Sequence, residues 1–190
     1  MTSVLTPTSC AQEPRAVIAD MATAPTDSPF SGDAVEFCAE LSSALFRAGM
    51  RDRPEVHALA YWCRPAEVAR LKSRFQELAT SPAIAMPRGT VFHLPPVNVE
   101  TLFLYGWILS ILCGNRNIVR ISSRASRLTT DLCGVVASVL AGHQPLARIN
   151  FAVRYGHDHQ LTADLSACCD LRIVWGGDET VRTLRSVPLT

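Results

Sequence analysis

The sequence predicts an α/β protein built on an open, mostly parallel sheet, and two observations lead to this prediction. Residues 86–123 read as strand, loop, helix, turn and strand, with β-rich runs at residues 89–94 and 117–122 around a long apolar segment, residues 102–113. Two more strand-like runs then alternate with helical patterns toward residue 190. Strands joined through a helix run parallel with a right-handed crossover, so we expect four such strands in one sheet.

Size and charge narrow the class of protein further. The chain has 190 residues, of which 48% are hydrophobic, and a net charge of +1. This length allows one globular domain with a substantial core, and the near-neutral charge predicts no general attraction to nucleic acid or to a membrane surface. The apolar segment 102–113 is shorter than the roughly 20 residues of a membrane span, so we predict a buried helix and no membrane span.

Cysteine and histidine usage predicts free thiols and no metal site. The seven cysteines include no C-x-x-C pair, and the amino terminus lacks the pattern of a secretory signal, which favours a reducing cytoplasm. His157 and His159 form a pair in the run GHDH, but no third ligand accompanies them. Most of the cysteines lie among apolar residues, where a thiol acts as a small hydrophobe.

The first eighty residues predict a leader followed by a layer of helices. Residues 1–32 are rich in Thr, Ser, Pro and Ala, and we expect them to be disordered. Asp33 is a candidate cap for a helix over residues 33–48, and Gly49 would end it. A second helix starts at Pro54, and a third over residues 65–79 carries apolar residues at helical spacing.

The remaining elements follow from local stop signals. Pro95 and Pro96 end the first long strand, and the Gly114-Asn115 pair closes the apolar helix. The later predicted elements are a helix at 128–140, a strand at 148–155, a helix at 160–168, a strand at 170–175 and a helix at 178–185.

Four segments give the chain its resemblance to a known family. They are LAYWCRPAEVARLKSRF (59–75), RGTVFHLPPVNVE (88–100), CGNRNIVRISSR (113–124) and DLRIVWGGDETVRTLR (170–185). In this order and spacing they resemble the amino-terminal part of the acyl-CoA reductase family typified by LuxC, within the aldehyde dehydrogenase superfamily. The resemblance covers about residues 34–188 and implies a dinucleotide-binding sheet of the aldehyde dehydrogenase type, preceded by a helical layer.

The resemblance implies NADPH-dependent reduction of an acyl-CoA, or fatty acyl thioester, to a fatty aldehyde. In enzymes of this kind a cysteine thiolate attacks the thioester. In the superfamily this cysteine comes well after the WGG turn in the sequence and belongs to a separate domain. The sequence ends at Thr190. We therefore expect residues 33–190 to hold an incomplete NADP-binding domain that lacks the cysteine domain, as a truncated product or with a second chain that supplies it. The alternative is a catalytically inactive, stand-alone nucleotide-binding or interaction module.

Asn98 is the candidate catalytic residue that the resemblance implies. It matches a superfamily asparagine whose amide helps to stabilise an oxyanion, and such a donor acts on charge that is present only in the transition state. The alternative is that Asn98 bonds the backbone of its own loop, as asparagines after prolines often do.

The resemblance also implies a coenzyme site at the end of the strand 117–122. Arg120 matches a lysine that contacts the adenosine ribose, and Ser122, Ser123 and Arg124 follow it. The glutamate that NAD-preferring relatives carry near Ser123 is absent, and an arginine can hold a phosphate through two bonds, so the coenzyme expected is NADP(H). The alternative is that Arg124 and Arg127 are solvated loop charges.

Glycine turns complete the implied coenzyme site. Gly176 and Gly177 resemble the superfamily's pyrophosphate turn, where a helix offers free N–H groups, and Gly156 resembles the loop after the third strand. Asp178 and Glu179 follow the turn, and their carboxylates would compete with a phosphate unless they point to solvent. The alternative is a plain helix start capped by Asp178.

Overall fold

The structure is a computed structural model that describes residues 2–4, 14–50, 52–78, 84–96 and 98–189. Within these ranges the chain forms one sheet with helices on both faces. Its strands are β1 (Ser3–Val4), β2 (Thr90–Leu94), β3 (Arg116–Ser122), β4 (Asn150–Tyr155) and β5 (Leu171–Val174). The helices are α1 (Pro14–Thr23), α2 (Gly32–Arg47), α3 (Pro54–Trp62), α4 (Pro65–Leu78), α5 (Leu102–Leu112), α6 (Arg127–Leu140), α7 (Gln144–Ala147), α8 (His159–Ser166) and α9 (Asp178–Arg185).

The sheet has the strand order β1-β4-β3-β2-β5. β4, β3, β2 and β5 are parallel, and β1 pairs antiparallel with the outer edge of β4. The predicted fold class, an open and mostly parallel α/β sheet preceded by helices, is confirmed. The four parallel strands also agree with the predicted ones to within two residues at each end.

Each face of the sheet packs against its own set of helices. On one face, α2 to α6 surround a core that includes Phe37, Trp107 and Leu132. On the other face, α1 and α8 cover Phe92, Ile118 and Tyr155. Because residues alternate between faces along a strand, β3 contributes Val119 and Ile121 to the first core and Ile118 to the second.

The helix α5 is buried as predicted, and a glycine closes it. Seven of its eleven residues are buried. Gly114 follows with φ of 79°, a left-handed conformation that glycine adopts without steric cost, and its N–H donates to the carbonyl of Ile111 at 2.8 Å. None of the helices in the described ranges has the length and apolarity that a membrane span needs.

The amino-terminal segment differs from the disordered leader expected over residues 1–32. β1 adds a strand to the sheet, and α1 packs Ile18 and Met21 into the second core. Arg116 holds the end of α1 by donating from Nη1 to the carbonyls of Ala22 and Ala24 at 3.0 and 2.7 Å. Apolar residues spaced by three positions thus anchor a segment whose overall composition suggests disorder. The rest of the expected leader, residues 1 and 5–13, lies outside the described residues.

Two local features also differ from the sequence prediction. Ser31, rather than Asp33, caps α2: its hydroxyl accepts from the N–H of Ala34 at 3.2 Å and donates to the Asp27 carboxylate. The short helix α7, whose first turn suits Pro145, directly precedes the expected strand 148–155. Arg148 serves as its C-cap, and β4 consequently begins only at Asn150.

A chain of buried hydrogen bonds crosses the three central strands. His93 Nε2 and Asn117 Oδ1 lie 2.9 Å apart, and Asn117 Nδ2 donates to Asn150 Oδ1 at 2.9 Å. The same oxygen of Asn150 accepts from Trp107 Nε1 of α5 at 2.8 Å. All four side chains are buried, and each has a partner, as buried polar groups require. We call this chain of side chains the polar ladder.

The ladder predicts how stability depends on pH. Burial lowers the pKa of His93 from 6.5 to about 4, although its hydrogen bond to Asn117 acts in the opposite direction. The unfolded chain therefore takes up a proton before the folded chain does, and stability falls as the pH drops from 6.5 toward about 4. Between about pH 7.5 and about pH 5 we expect a loss of about 2 kcal/mol in the free energy of unfolding, measured with urea.

The matched variant for this measurement is His93→Gln, which keeps a side chain able to bond Asn117 but does not titrate. It should lose less stability over the same pH interval than the original protein, by about the amount assigned to His93. Equal pH dependence of the two proteins would contradict the role given to this imidazole.

Candidate functional site

The carboxyl ends of the four parallel strands meet at one edge of the sheet. Leu94 ends β2, Ser122 ends β3, Tyr155 ends β4 and Val174 ends β5. The register pairs Ser122 with Tyr155 and Leu94 with Val174. Ligands of open α/β sheets bind outside this edge, and seven of the eight candidate site residues lie at it or just beyond it, while Arg120 lies two residues inside β3.

Arg120 is held against the end of β4. Its Nη2 donates to the carbonyl of Gly156 at 3.0 Å, and its guanidinium carbon lies 5.0 Å from the centre of the Tyr155 ring. Among the described residues, its Nε is buried and finds no hydrogen-bond partner. The guanidinium is thus fixed in position while part of its hydrogen-bonding capacity is unused.

Ser122, Ser123 and Arg124 turn away from the sheet directly after Arg120. The N–H of Ser123 donates to the carbonyl of Tyr155 at 3.1 Å, and the hydroxyl of Ser122 accepts from the N–H of Arg124 at 3.1 Å. A Cβ added at Gly156 would lie 3.2 Å from the hydroxyl oxygen of Ser123. The structure therefore brings Ser123, Gly156 and Arg120 together, and it leaves the Arg124 side chain exposed beside them.

A crevice of about 290 Å³ opens next to Arg120, between α8 and α9. Arg120, Gly156 and Leu94 form its base. Its two walls carry residues of the loop before α8 and of the helices themselves: His157, Asp158, His159, Thr162, Glu179, Thr180, Thr183 and Leu184. We call this space the α8/α9 crevice. Its volume is close to the lower end of the range for small-molecule sites, about 300–1,000 Å³.

The glycine turn precedes the second wall of the crevice. Trp175 continues β5 by donating its N–H to the carbonyl of Leu94 at 3.0 Å, and the exposed Gly176 and Gly177 follow. Gly177 occupies the N-cap position of α9, so the alternative in which Asp178 caps this helix is wrong. Asp178 and Glu179 lie in the first turn, and Glu179 also lines the crevice.

Asn98 lies apart from the α8/α9 crevice, in the loop between β2 and α5. Its side chain is exposed and makes no hydrogen bond to any other residue in the described ranges. Its neighbours Pro96, Val99 and Glu100 line a small space of about 20 Å³ that also borders Arg120 and Ser122. Asn98 itself is not among the residues that line the α8/α9 crevice.

The sequence prediction missed most of the crevice walls. No sequence motif marks Leu94, Thr162, Thr180, Thr183 or Leu184, and the sequence pattern of His157 and His159 suggests only an incomplete metal pair. The available signal was helical spacing: 159 and 162 on α8, and 180, 183 and 184 on α9, recur at three or four positions and share a face. No group of three or more metal-binding side chains is found within the described residues.

The described cysteines are free, and most lie in surroundings that disfavour a thiolate. Burial raises the pKa of the Cys63 and Cys133 thiols to about 12 and that of Cys169 to about 11. It also raises the pKa of Cys38 and of Cys113. Because the thiolate is the nucleophile, these five thiols are suited to packing rather than to attack on a substrate.

One apolar surface remains exposed at the β5 edge of the sheet. It includes Met86 (75% exposed), Leu109 (43%) and Trp175 (49%). A groove of about 440 Å³ runs beside them, lined also by Phe75, Leu171 and Ile173. We call this the β5 apolar surface. Large exposed apolar patches of this kind mark interaction sites in many proteins.

Comparison with solved structures identifies the fold. The chain superposes on a putative aldehyde dehydrogenase from Burkholderia cenocepacia with a TM-score of 0.56 and 18% identity, covering 91% of this chain and 40% of that one. It superposes on an NAD-dependent benzaldehyde dehydrogenase from Corynebacterium glutamicum with a TM-score of 0.57 and 14% identity, covering 98% of this chain and 47% of that one. The chain therefore spans less than half the length of these two proteins.

Comparison of the sequence identifies the family. A search of curated proteins gives no match. The family model described as acyl-CoA reductase (LuxC) matches residues 67–189, about two thirds of the chain. These residues include β2 to β5 and the whole α8/α9 crevice. The match, together with the aldehyde dehydrogenase fold, confirms the resemblance drawn from the four sequence segments: this chain belongs to the LuxC acyl-CoA reductase family.

Proposed function

We propose that this chain provides the NADP(H)-binding part of an acyl-CoA reductase, which reduces an acyl thioester to an aldehyde. The observation that carries the proposal is the position of Arg120. Arg120 lies both at the base of the α8/α9 crevice and near the ends of β3 and β4, where Ser123 and Gly156 are close together. The glycine turn before α9 follows β5, which is two strands away from β3 in the sheet.

The residues at this edge fit a phosphorylated dinucleotide. Arg120 would contact the ribose of the adenosine, since it lines the crevice and its guanidinium makes one hydrogen bond within the described residues, which leaves other N–H groups to donate. Ser122, Ser123 and Arg124 would hold the 2′-phosphate, because hydroxyls and a guanidinium donate hydrogen bonds to it and no carboxylate stands at position 123 to repel it. When bound, the coenzyme supplies the hydride of the reduction.

The glycines would give the rest of the coenzyme close access to the backbone. Gly156 has no side chain to fill the space beside Ser123, and Gly177 opens α9, whose first N–H groups lack partners within the helix. Asp178 and Glu179 oppose a phosphate at this turn. We therefore assign the pyrophosphate to Gly176 and Gly177 themselves and the adenosine to the crevice beyond.

Asn98 would act on the substrate rather than on the coenzyme. Its exposed amide makes no hydrogen bond to the described residues, which leaves its N–H groups able to donate to an oxyanion. Its place in the loop after β2, near Arg120 but outside the crevice, supports this separation of roles.

The proposal places the nucleophilic cysteine outside the thiols whose pKa is raised by burial. A further domain or a second chain would present it, and the β5 apolar surface is where we propose that this part docks. Support comes from the edge position of β5 in the described sheet and from the exposed Leu109 and Trp175, which both line the groove. A stand-alone module without catalysis is the second candidate, which the raised pKa of these thiols favours.

Coenzyme binding tests the central proposal. Titration followed by the fluorescence of the reduced coenzyme should show tighter binding of NADPH than of NADH. Replacing Arg120 by Met should weaken NADPH binding by about tenfold or more, because hydrogen bonds from a charged donor are worth about 1.5–3 kcal/mol. Arg148, at the opposite edge of the sheet, gives the control Arg148→Met, which should leave binding unchanged. Absence of NADPH binding by the original protein would refute the proposal.

Coenzyme preference tests the role of Arg124. The substitution Arg124→Glu should reverse the preference from NADPH to NADH, because a carboxylate repels the 2′-phosphate and accepts from ribose hydroxyls. We expect a change of about tenfold or more in the ratio of the two dissociation constants. The variant Arg148→Glu makes the same change of charge far from the site and should keep the original preference. If Arg124→Glu keeps it as well, Arg124 is a solvated loop charge.

An aldehyde-forming assay tests the assignment of the thiols. The chain alone, supplied with an acyl-CoA and NADPH, should form no aldehyde, because its buried thiols do not ionise near neutral pH. Aldehyde formation would overturn this assignment. In that event the variant Cys168→Ser would show whether the exposed Cys168 is the nucleophile.

A further inference from the structure

We propose that Glu179 selects adenine as the base of the coenzyme, by accepting a hydrogen bond from the exocyclic amino group of the base. This inference rests on the proposed dinucleotide function and adds a residue that determines specificity. It gives a role to a carboxylate that otherwise opposes phosphate binding at the start of α9.

The first step is the location of the base. The adenine base is bonded directly to the ribose, so it has to lie next to Arg120 if Arg120 contacts that ribose. The α8/α9 crevice begins at Arg120 itself. Leu94 at its base and the partly buried Leu184 on its α9 wall provide apolar contact for the faces of a planar ring. The edge of the ring then meets the polar side chains of the two walls.

The second step is a count of the hydrogen bonds that these walls have already formed. The Thr162 hydroxyl donates to the carbonyl of Asp158 at 2.7 Å and lies 3.1 Å from the hydroxyl of Tyr155. Asp158 accepts from the N–H of Leu161 at 2.9 Å, which caps α8. The Thr183 hydroxyl donates along its own helix to the carbonyl of Glu179 at 2.9 Å. The side chains of Thr162, Asp158 and Thr183 therefore already form hydrogen bonds within or next to their own helices.

The side chains of Glu179, His157, His159 and Thr180 make no hydrogen bond within the described ranges, although all four residues line the crevice. Of these four, the carboxylate of Glu179 is the one that accepts hydrogen bonds without also donating them. A carboxylate only accepts hydrogen bonds, so it complements a ring edge that donates. The 6-amino group of adenine donates, whereas the 6-oxo group of hypoxanthine accepts and would face the carboxylate with like polarity. The crevice is therefore built to favour adenine over hypoxanthine.

The experiment compares NADPH with its hypoxanthine analogue, deamino-NADPH. The analogue carries an oxo group in place of the amino group at position 6 of the base, and its neighbouring ring nitrogen, N1, carries a hydrogen. We expect the original protein to bind NADPH about tenfold more tightly, a modest factor because Glu179 is largely exposed. In Glu179→Gln this ratio should fall to nearly one, because an amide can donate to the oxo group as well as accept from the amino group.

Asp178→Asn is the matched control, because it removes one negative charge from the same helix turn at a residue that does not line the crevice. It should tighten the binding of both coenzymes alike, through weaker repulsion of phosphate, and leave their ratio unchanged. Equal binding of the two coenzymes by the original protein overturns the role of Glu179 alone. Failure of both coenzymes to bind overturns the proposed function and this inference together.

Discussion

The register of the central strands is the constraint on which the site depends, and the polar ladder provides it. A shift of one residue between β2 and β3 would separate His93 from Asn117, and a shift between β3 and β4 would separate Asn117 from Asn150. Each shift would leave buried amides without partners, at a cost of about 1–3 kcal/mol per group. It would also turn the alternate set of side chains to each face, so that Arg120 would point into the core around α5 instead of toward the crevice.

The two faces of the sheet therefore differ in the residues that they carry and in the role that we assign to each. The face covered by α2 to α6 holds the ladder and the larger apolar core, and it stabilises the fold. The face covered by α1 and α8 holds a smaller core and, at its carboxyl edge, the charged Arg120. A guanidinium on a central strand is costly unless its donors are paired. Here Nη2 donates to the Gly156 carbonyl and the guanidinium lies over the Tyr155 ring. We assign N–H groups that have no partner among the described residues to the coenzyme.

Sequence patterns predicted the parallel strands and all the longer helices that follow residue 32, because apolar periodicity and stop signals such as Gly114 act locally. They failed where long-range contacts override local composition: α1 is held by Arg116 and by the second core, which no reading of residues 14–23 alone reveals. The same distinction applies to the site. The resemblance to the family predicts Arg120, Ser123 and Gly177, because these residues match its sequence segments, but the crevice walls depend on how α8 and α9 face each other across the sheet edge. Helical spacing identifies a face of Thr180, Thr183 and Leu184 without saying what it faces.

The surroundings of the thiols support the division that we propose between the part that binds the coenzyme and the part that reacts with the thioester. Reduction of a thioester through a covalent intermediate requires a thiolate, which forms readily near positive charge and in contact with water. Arg120 and Arg124 lie at the end of β3, whereas the thiols of Cys38, Cys63 and Cys133 are buried in the core on the opposite face, where desolvation raises their pKa. The substitution of a nucleophile into this core would disrupt packing without bringing it to the coenzyme. A nucleophile that approaches from the side of Asn98 meets the ends of β2 and β3 directly, and this geometry connects the exposed amide of Asn98 with the proposed site of reaction.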